Sequence, residues 1–199
     1  SVSDLDGATI CIAQGTTLEQ NLADHFQARG MAYEALTFAD IDKGLQAYHA
    51  DRCDAFTNEA TSTAGRISQW PDRNDHVILP EVISKEPFGP IVRQDDPRWR
   101  DIVLWSFNAQ IAAEELGVNQ ANVDEARATS PIAEVRRLLG VEGEYGEKLG
   151  LSNDWAYSII KLVGNYEDSW NRHFTPLGLS RGLNAIWQNG GILSALPFR

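Results

Sequence analysis

The sequence lacks any apolar run long enough to cross a membrane. Its richest apolar stretch, residues 102–113, is interrupted by Ser106, Asn108 and Gln110. A membrane-spanning helix needs roughly 18 or more consecutive apolar residues. The chain opens on a polar stretch rather than on a basic and then apolar leader. We therefore expect either a cytosolic protein or a chain without its natural N-terminus.

Positive charge is also scarce. The 17 Lys and Arg residues against 28 Asp and Glu give a net charge of −11. This balance argues against a nucleic-acid-binding protein and against docking on an anionic membrane, because both need clustered basic residues. The hydrophobic share of 43% and the charged share of 23% are ordinary for a globular protein, which excludes a disordered chain.

Several chemical motifs are missing as well. There is no Gly-x-Ser-x-Gly elbow of a serine hydrolase and no phosphate-binding loop with its lysine. The histidines do not have the spacing of a metal-binding motif, so we expect no metal site and no cofactor: they are His25, His49, His76 and His173. By count alone, Cys11 and Cys53 fit two buried thiols as well as a disulfide.

The first 80 or so residues alternate between two patterns. β-branched and apolar runs predict buried strands at residues 8–13, 32–38 and 53–57. Apolar residues at helical spacing follow each run and predict a helix capped by Thr16 or Thr17 and stopped by Gly30, and further helices at residues 40–50 and 59–70. This order predicts an α/β unit, a doubly wound parallel sheet with right-handed crossovers.

The pattern then changes. Residues 76–83 and 88–93 have the composition of strands, and Pro97 fits the first turn of a long helix over residues 97–117. Further helices are predicted at residues 131–139, 144–149 and 154–163. The second part is therefore helix-rich and does not form an α/β unit by itself.

One candidate ligand site follows the first predicted strand, in the order Gln14, Gly15, Thr16, Thr17. Open α/β sheets bind ligands at the carboxyl ends of their strands, and a helix N-terminus there attracts an anion. This chemistry suits a carboxylate or a small phosphate. The alternative is a plain helix N-cap.

A second candidate is Glu59, which follows the third predicted strand. That strand is expected to lie beside the first, so the Glu59 carboxylate would share an edge of the sheet with Thr16 and Thr17 and could hold an ammonium group. The alternative is a glutamate that only favours the helix dipole. Together, the two sites would suit the zwitterion of an α-amino acid.

Longer stretches resemble the general L-amino-acid substrate-binding proteins of bacterial ABC transporters, which have the type II periplasmic binding fold. The resemblance includes Gln-Gly-Thr-Thr at residues 14–17 and Asn-Asp-Trp-Ala-Tyr at residues 153–157. It covers essentially the whole chain. The other matching stretches are residues 5–9, 21–24, 52–54, 76–87, 112–118, 176–179 and 190–199.

This resemblance implies two α/β lobes that close over an amino acid and present it to a membrane permease. Residues 3–81 would be lobe 2, and residues 84–199 would be the returning half of lobe 1 with a helical C-terminal extension. The first half of lobe 1, with the arginine that clamps the ligand carboxylate, would be absent. We therefore expect this chain alone to bind amino acids weakly or not at all, unless a second chain or a swapped protomer supplies that half.

The resemblance also assigns roles to particular residues. The loop of Gln14, Gly15, Thr16 and Thr17 would hold the ligand α-carboxylate, and Glu59 would hold the α-ammonium where the family normally has Asp. Because the family is exported, a periplasmic location and a disulfide are implied. The pair matching the family positions is Cys11 and Cys53.

Two other classes of function remain open. A truncated relative could expose apolar surface and act as an oligomerising structural or interaction protein without binding amino acids. An enzyme would need a general acid in the cleft, for which Glu59 is the only obvious candidate. We expect a binding protein and not an enzyme.

Overall fold

The computed structural model describes residues 1–198. The chain divides into two compact units, unit 1 over Ser1–Phe88 and unit 2 over Gly89–Arg199. The assignment of residues 3–81 and 84–199 to two lobes of a binding protein stays a prediction.

Unit 1 is built on a parallel sheet, as the sequence predicts. Its strands are β1 (Thr9–Ala13), β2 (Glu34–Phe38) and the short β3 (Ala55–Phe56), in the order β2-β1-β3. Cys11 of β1 stands opposite Leu36 of β2 and Phe56 of β3. Because β1 and β3 are neighbouring parallel strands, the loops that follow them leave the sheet at the same edge, which is formed by the carboxyl ends of the strands.

A helix follows each strand and starts at a polar cap. These helices are α1 (Thr17–Arg29), α2 (Ile41–His49) and α3 (Ala60–Ile67). Their N-caps are Thr16, Asp40 and Glu59, and each cap side chain accepts a hydrogen bond from a backbone N–H of the first turn. Gly30 ends α1 at a φ of 66°, a left-handed conformation that favours glycine.

Successive side chains of β1 pack on opposite faces of the sheet. Ile10 and Ile12 pack with Leu22 and Phe26 of α1 on one face. Cys11 packs with Ala47 and Cys53 on the other face. A disulfide joins Cys11 to Cys53, with their Cα atoms 5.8 Å apart. The disulfide that the resemblance implies is therefore present.

The predicted strands at residues 76–83 and 88–93 do not form. Residues 77–93 contain no helix or strand. A short 3-10 helix at Arg73–Asp75 precedes them. Proline has no N–H to donate to a β-ladder, and Pro80, Pro87 and Pro90 interrupt this segment. Leu79 and Ile83 contact the core of unit 1 without strand pairing, whereas Val77, Val82, Phe88 and Ile91 are exposed.

Unit 2 is helical. It begins with the long α4 (Pro97–Glu115), whose N-cap is Asp96. The remaining α-helices are α5 (Val123–Thr129), α6 (Ala133–Leu138), α7 (Tyr145–Leu149), α8 (Trp155–Val163) and α9 (Tyr166–His173). Of these, α5 and α9 were not among the helices predicted from the sequence. Within residues 1–198, no helix has the length and apolar character that a membrane crossing requires.

The core of unit 2 forms where α4, α6 and α8 meet. Its buried side chains include Ala113 of α4, Leu138 of α6 and Ile160 of α8, together with Phe198 near the end of the chain. Phe198 stacks near Trp155, with ring centroids 6.3 Å apart. These contacts make residues near the end of the chain part of the hydrophobic core.

A buried ion pair ties α4 to the segment after α9. The Arg181 guanidinium lies 3.0 Å from Glu114 Oε1 and 3.1 Å from Glu114 Oε2. The Glu114 side chain is 4% exposed. The guanidinium also lies 5.1 Å from the ring centroid of Tyr166 and 5.8 Å from that of Trp170. A buried carboxylate of this kind depends on its partner for stability.

Replacing both cysteines in Cys11→Ala/Cys53→Ala should lower the free energy of unfolding of unit 1. The bond closes a loop with a sequence separation of 42 residues, which corresponds to about 4 kcal/mol in the chain-entropy model. Hydrogen exchange at the amides of Ile10–Ala13 measures this loss. The amide of Ile160 in unit 2 is the internal reference, and unchanged protection of β1 would contradict the prediction.

Replacing only one partner of the buried ion pair should be costly. Arg181→Met leaves Glu114 buried without a counter-charge, and we expect a loss of about 3–5 kcal/mol in the free energy of unfolding. The double variant Arg181→Met/Glu114→Met should recover most of this loss. Urea unfolding followed by tryptophan fluorescence measures both.

Arg100→Met is the matched control for this experiment. Arg100 pairs with Asp101 at the surface, with side chains 64% and 43% exposed. Its removal should therefore change stability by less than about 1 kcal/mol. Equal losses in the free energy of unfolding for Arg181→Met and Arg100→Met would show that the buried pair stabilises the protein no more than the exposed pair does.

Candidate functional site

The two predicted ligand-holding segments leave the sheet side by side. Residues 14–17 follow β1, and Glu59 follows β3, the strand that pairs with β1 in parallel. Two backbone hydrogen bonds continue the pairing beyond the strands: Gln14 N donates to Phe38 O at 2.9 Å and Thr57 N donates to Cys11 O at 3.2 Å. The N-termini of α1 and α3 therefore open at one edge of unit 1.

The loop after β1 already holds a carboxylate from its own helix. Gly15 has a φ of 68°, and its N–H donates to Glu19 Oε2 at 2.7 Å. Thr16 Oγ1 accepts from Glu19 N at 3.4 Å and donates to Ala13 O at 2.8 Å. Thr16 is thus the N-cap of α1, which was the alternative to a ligand-binding role for this motif. Gln14 and Thr17 are exposed beside it.

Glu59 is directed onto the first turn of α3. Its Oε1 accepts from Thr61 N at 2.8 Å, and its Oε2 accepts from Ser62 N at 2.6 Å. Thr61 Oγ1 lies 2.7 Å from one carboxylate oxygen and 2.6 Å from the other. A hydroxyl has a single proton, so it donates to only one of the two oxygens at a time. The half-buried carboxylate therefore keeps acceptor capacity for a further donor.

A depression on unit 1 lies beside this edge: Thr17 lines it and Glu59 does not. It has a volume of about 560 Å³. Asn21 Nδ2 donates to Glu86 Oε1 across it at 2.7 Å. Its other lining residues are Gln20, Asp24, His25, Ile83, Ser84 and Lys85. Of the residues predicted to bind ligand, only Thr17 lines this depression within the described part of the chain.

A second cluster in unit 1 was not found from the sequence. His49, Asp72 and His76 each bring a potential metal-ligand atom within 4.8 Å of the other two. The hydrogen bond from His49 holds the pKa of Asp72 below its ordinary value. Burial raises the pKa of neighbouring Tyr48. The spacing of four residues between Asp72 and His76 was visible in the sequence, but His49 joins them only through the fold.

Comparisons with curated proteins and with solved structures both found proteins similar to this chain. No protein-family model matches the chain. It is 48% identical over its whole length to the glutamate/glutamine/aspartate/asparagine-binding protein BztA of Rhodobacter capsulatus. It is 45% identical to the general L-amino acid-binding periplasmic protein AapJ of Rhizobium johnstonii. The chain spans about 60% of the length of both relatives.

A solved structure matches over the whole chain as well. It is an ABC transporter periplasmic binding protein from Brucella ovis with glutathione bound, with a TM-score of 0.89 and 46% sequence identity. The match covers 63% of that protein. These findings confirm the resemblance and the expected fold: over its whole length the chain is homologous to part of the amino-acid-binding proteins of bacterial ABC transporters, and it has the α/β fold of a periplasmic binding protein.

Proposed function

We propose that this chain is part of a periplasmic binding protein that holds an L-α-amino acid for uptake by an ABC transporter permease. The observation that carries the proposal is the placement of two helix N-termini at the edge formed by β1 and β3. One presents threonines and backbone N–H groups, and the other presents the carboxylate of Glu59. The zwitterion of an α-amino acid needs hydrogen-bond donors for its carboxylate and an acceptor for its ammonium group.

The loop of residues 14–17 would hold the α-carboxylate. Backbone N–H groups at the start of a helix favour an anion, and the dipole of α1 adds to this preference. The contact from Gly15 N–H to the Glu19 carboxylate supports this assignment, because the loop already accepts that chemical group. Ligand binding would move the Glu19 side chain aside or use the exposed Thr17 beside it.

Glu59 would hold the α-ammonium. The Thr61 hydroxyl donates to only one carboxylate oxygen at a time, so the other oxygen can accept an ammonium proton. The contacts with Thr61 N and Ser62 N fix the carboxylate in place. A fixed acceptor loses little conformational entropy when the ligand arrives. The capping role and the ammonium role of Glu59 are therefore compatible.

The class of ligand follows from what the relatives bind. The named ligands of BztA are glutamate, glutamine, aspartate and asparagine, and the protein from Brucella ovis has glutathione bound. Glutathione carries a free α-ammonium and α-carboxylate on its γ-glutamyl group. All of these compounds therefore share the zwitterion that the two helix N-termini would recognise. L-Glutamine is a suitable first probe because it is neutral overall.

Binding of L-glutamine to the 199-residue chain should be weak and local. We expect an NMR titration at millimolar ligand to shift the amide signals of Gly15, Thr16 and Thr17 and those of Thr61 and Ser62. N-acetyl-L-glutamine lacks the ammonium and should bind less. Because a hydrogen bond to a charged group contributes about 1.5–3 kcal/mol, Glu59→Gln should weaken binding about tenfold or more.

Glu34→Gln is the matched control, since Glu34 begins β2 and lies at the opposite edge of the sheet. It removes the same charge without touching the proposed site, so binding should be unchanged. Circular dichroism of both variants verifies that the fold is intact. Equal binding of L-glutamine and its N-acetyl form, or binding of L-glutamine without amide shifts at residues 14–17, would reject the proposal.

A further inference from the structure

The cluster of His49, Asp72 and His76 lies in unit 1 at the end of α2 and beside the 3-10 helix Arg73–Asp75. His49 Nε2 is 2.9 Å from Asp72 Oδ2, and His76 Nε2 is 3.5 Å from the same oxygen. An ion about 2.1 Å from each ligand atom holds two ligands about 3.4 Å apart in tetrahedral geometry. The two nitrogens and the carboxylate are therefore placed at distances that one ion could bridge.

Aromatic neighbours hold both imidazole rings in this arrangement. The Trp70 ring stacks on His49, with centroids 4.0 Å apart and planes at 18°. The same indole meets His76 edge-on, at a centroid distance of 5.0 Å. Tyr48 Oη is 3.0 Å from His76 Nδ1. When His76 Nδ1–H donates to the tyrosine oxygen, the lone pair of Nε2 is free to bind a metal ion.

His76 Nε2 itself points to a ligand. It is buried, and it has no hydrogen-bond partner among residues 1–198. The contact with Asp72 at 3.5 Å is too long for a good hydrogen bond. Buried polar atoms in native proteins are nearly always satisfied, and a bound cation would satisfy this one. The partly exposed side chains of His49 and Asp72 leave a route by which an ion could enter.

The donor set selects the class of ion. Imidazole nitrogens with a carboxylate oxygen suit zinc and neighbouring first-row divalent metals, whereas calcium and magnesium prefer sites made only of oxygen. A thiolate ligand is excluded because both cysteines are joined in the disulfide. Three protein ligands would leave a coordination position for water.

We propose that His49, Asp72 and His76 form a binding site for a single first-row divalent metal ion, with Zn²⁺ as the probe. The site is separate from the proposed amino-acid site, and its ligands come from α2 and from the segment after α3. Bound metal would link these two parts of unit 1. Because it would bind the folded state only, it would also stabilise that state.

The test uses the full 199-residue chain, freed of metal by chelator and kept without amino acid, since amino acids themselves chelate zinc. Equilibrium dialysis against Zn²⁺ should show saturable binding of one ion per chain, with no comparable binding of Mg²⁺. The side-chain NMR signals of His49 and His76 should shift together. His49→Gln and Asp72→Asn should each weaken binding by at least about tenfold.

The matched control is His173→Gln, which removes a histidine from exposed surface in unit 2. It should leave zinc binding unchanged. His49 and Asp72 are partly exposed, so their variants are expected to fold, and circular dichroism verifies this. Two results would overturn the proposal: no saturable zinc binding at millimolar metal, or binding that persists undiminished in His49→Gln and Asp72→Asn.

Discussion

The parallel pairing of β1 with β2 on one side and β3 on the other positions the functional groups of unit 1. Residues Ile10–Ala13 of β1 are buried, so the strand can neither shift its register nor exchange its neighbours without exposing apolar side chains. Its side chains alternate between the face of α1 and the face that carries the disulfide. The helix N-termini after β1 and β3 lie at one edge for this reason alone.

Internal carboxylates at both helix N-termini shape what a ligand must do there. The Glu19 carboxylate accepts a hydrogen bond from the N–H of Gly15, and the Glu59 carboxylate accepts hydrogen bonds from N–H groups in the first turn of α3. Without a ligand, these contacts satisfy backbone N–H groups that have no hydrogen-bond partner within their own helices. In the proposed site, a ligand carboxylate would compete with the Glu19 contact after β1 or use Thr17 beside it, whereas a ligand ammonium would add a contact at Glu59. The net gain in free energy should consequently be larger at Glu59.

The sequence was informative wherever a local pattern decided the structure. The β-branched and apolar run at residues 8–13, the cap Thr16 and Gly30 each specify a strand or a helix end through their own chemistry. The apolar run at residues 76–83 was misleading, because hydrophobicity outweighed Pro80 in the prediction. Contacts between residues far apart in the sequence could not be predicted from local patterns. His49 and Asp72 are 23 residues apart and meet only through the fold of unit 1, and the contacts of Glu59 depend on the direction of its side chain.

The burial of the disulfide has a kinetic consequence. Exchange between a thiol and a disulfide requires a thiolate to reach one of the two sulfur atoms. Cys11 is fully buried in the central strand, and Cys53 is 8% exposed. A small reductant therefore reaches the bond when unit 1 opens, so the lifetime of the bond depends on how readily unit 1 opens as well as on the reductant. A chain that folds with this disulfide consequently keeps it for a time after its surroundings become reducing.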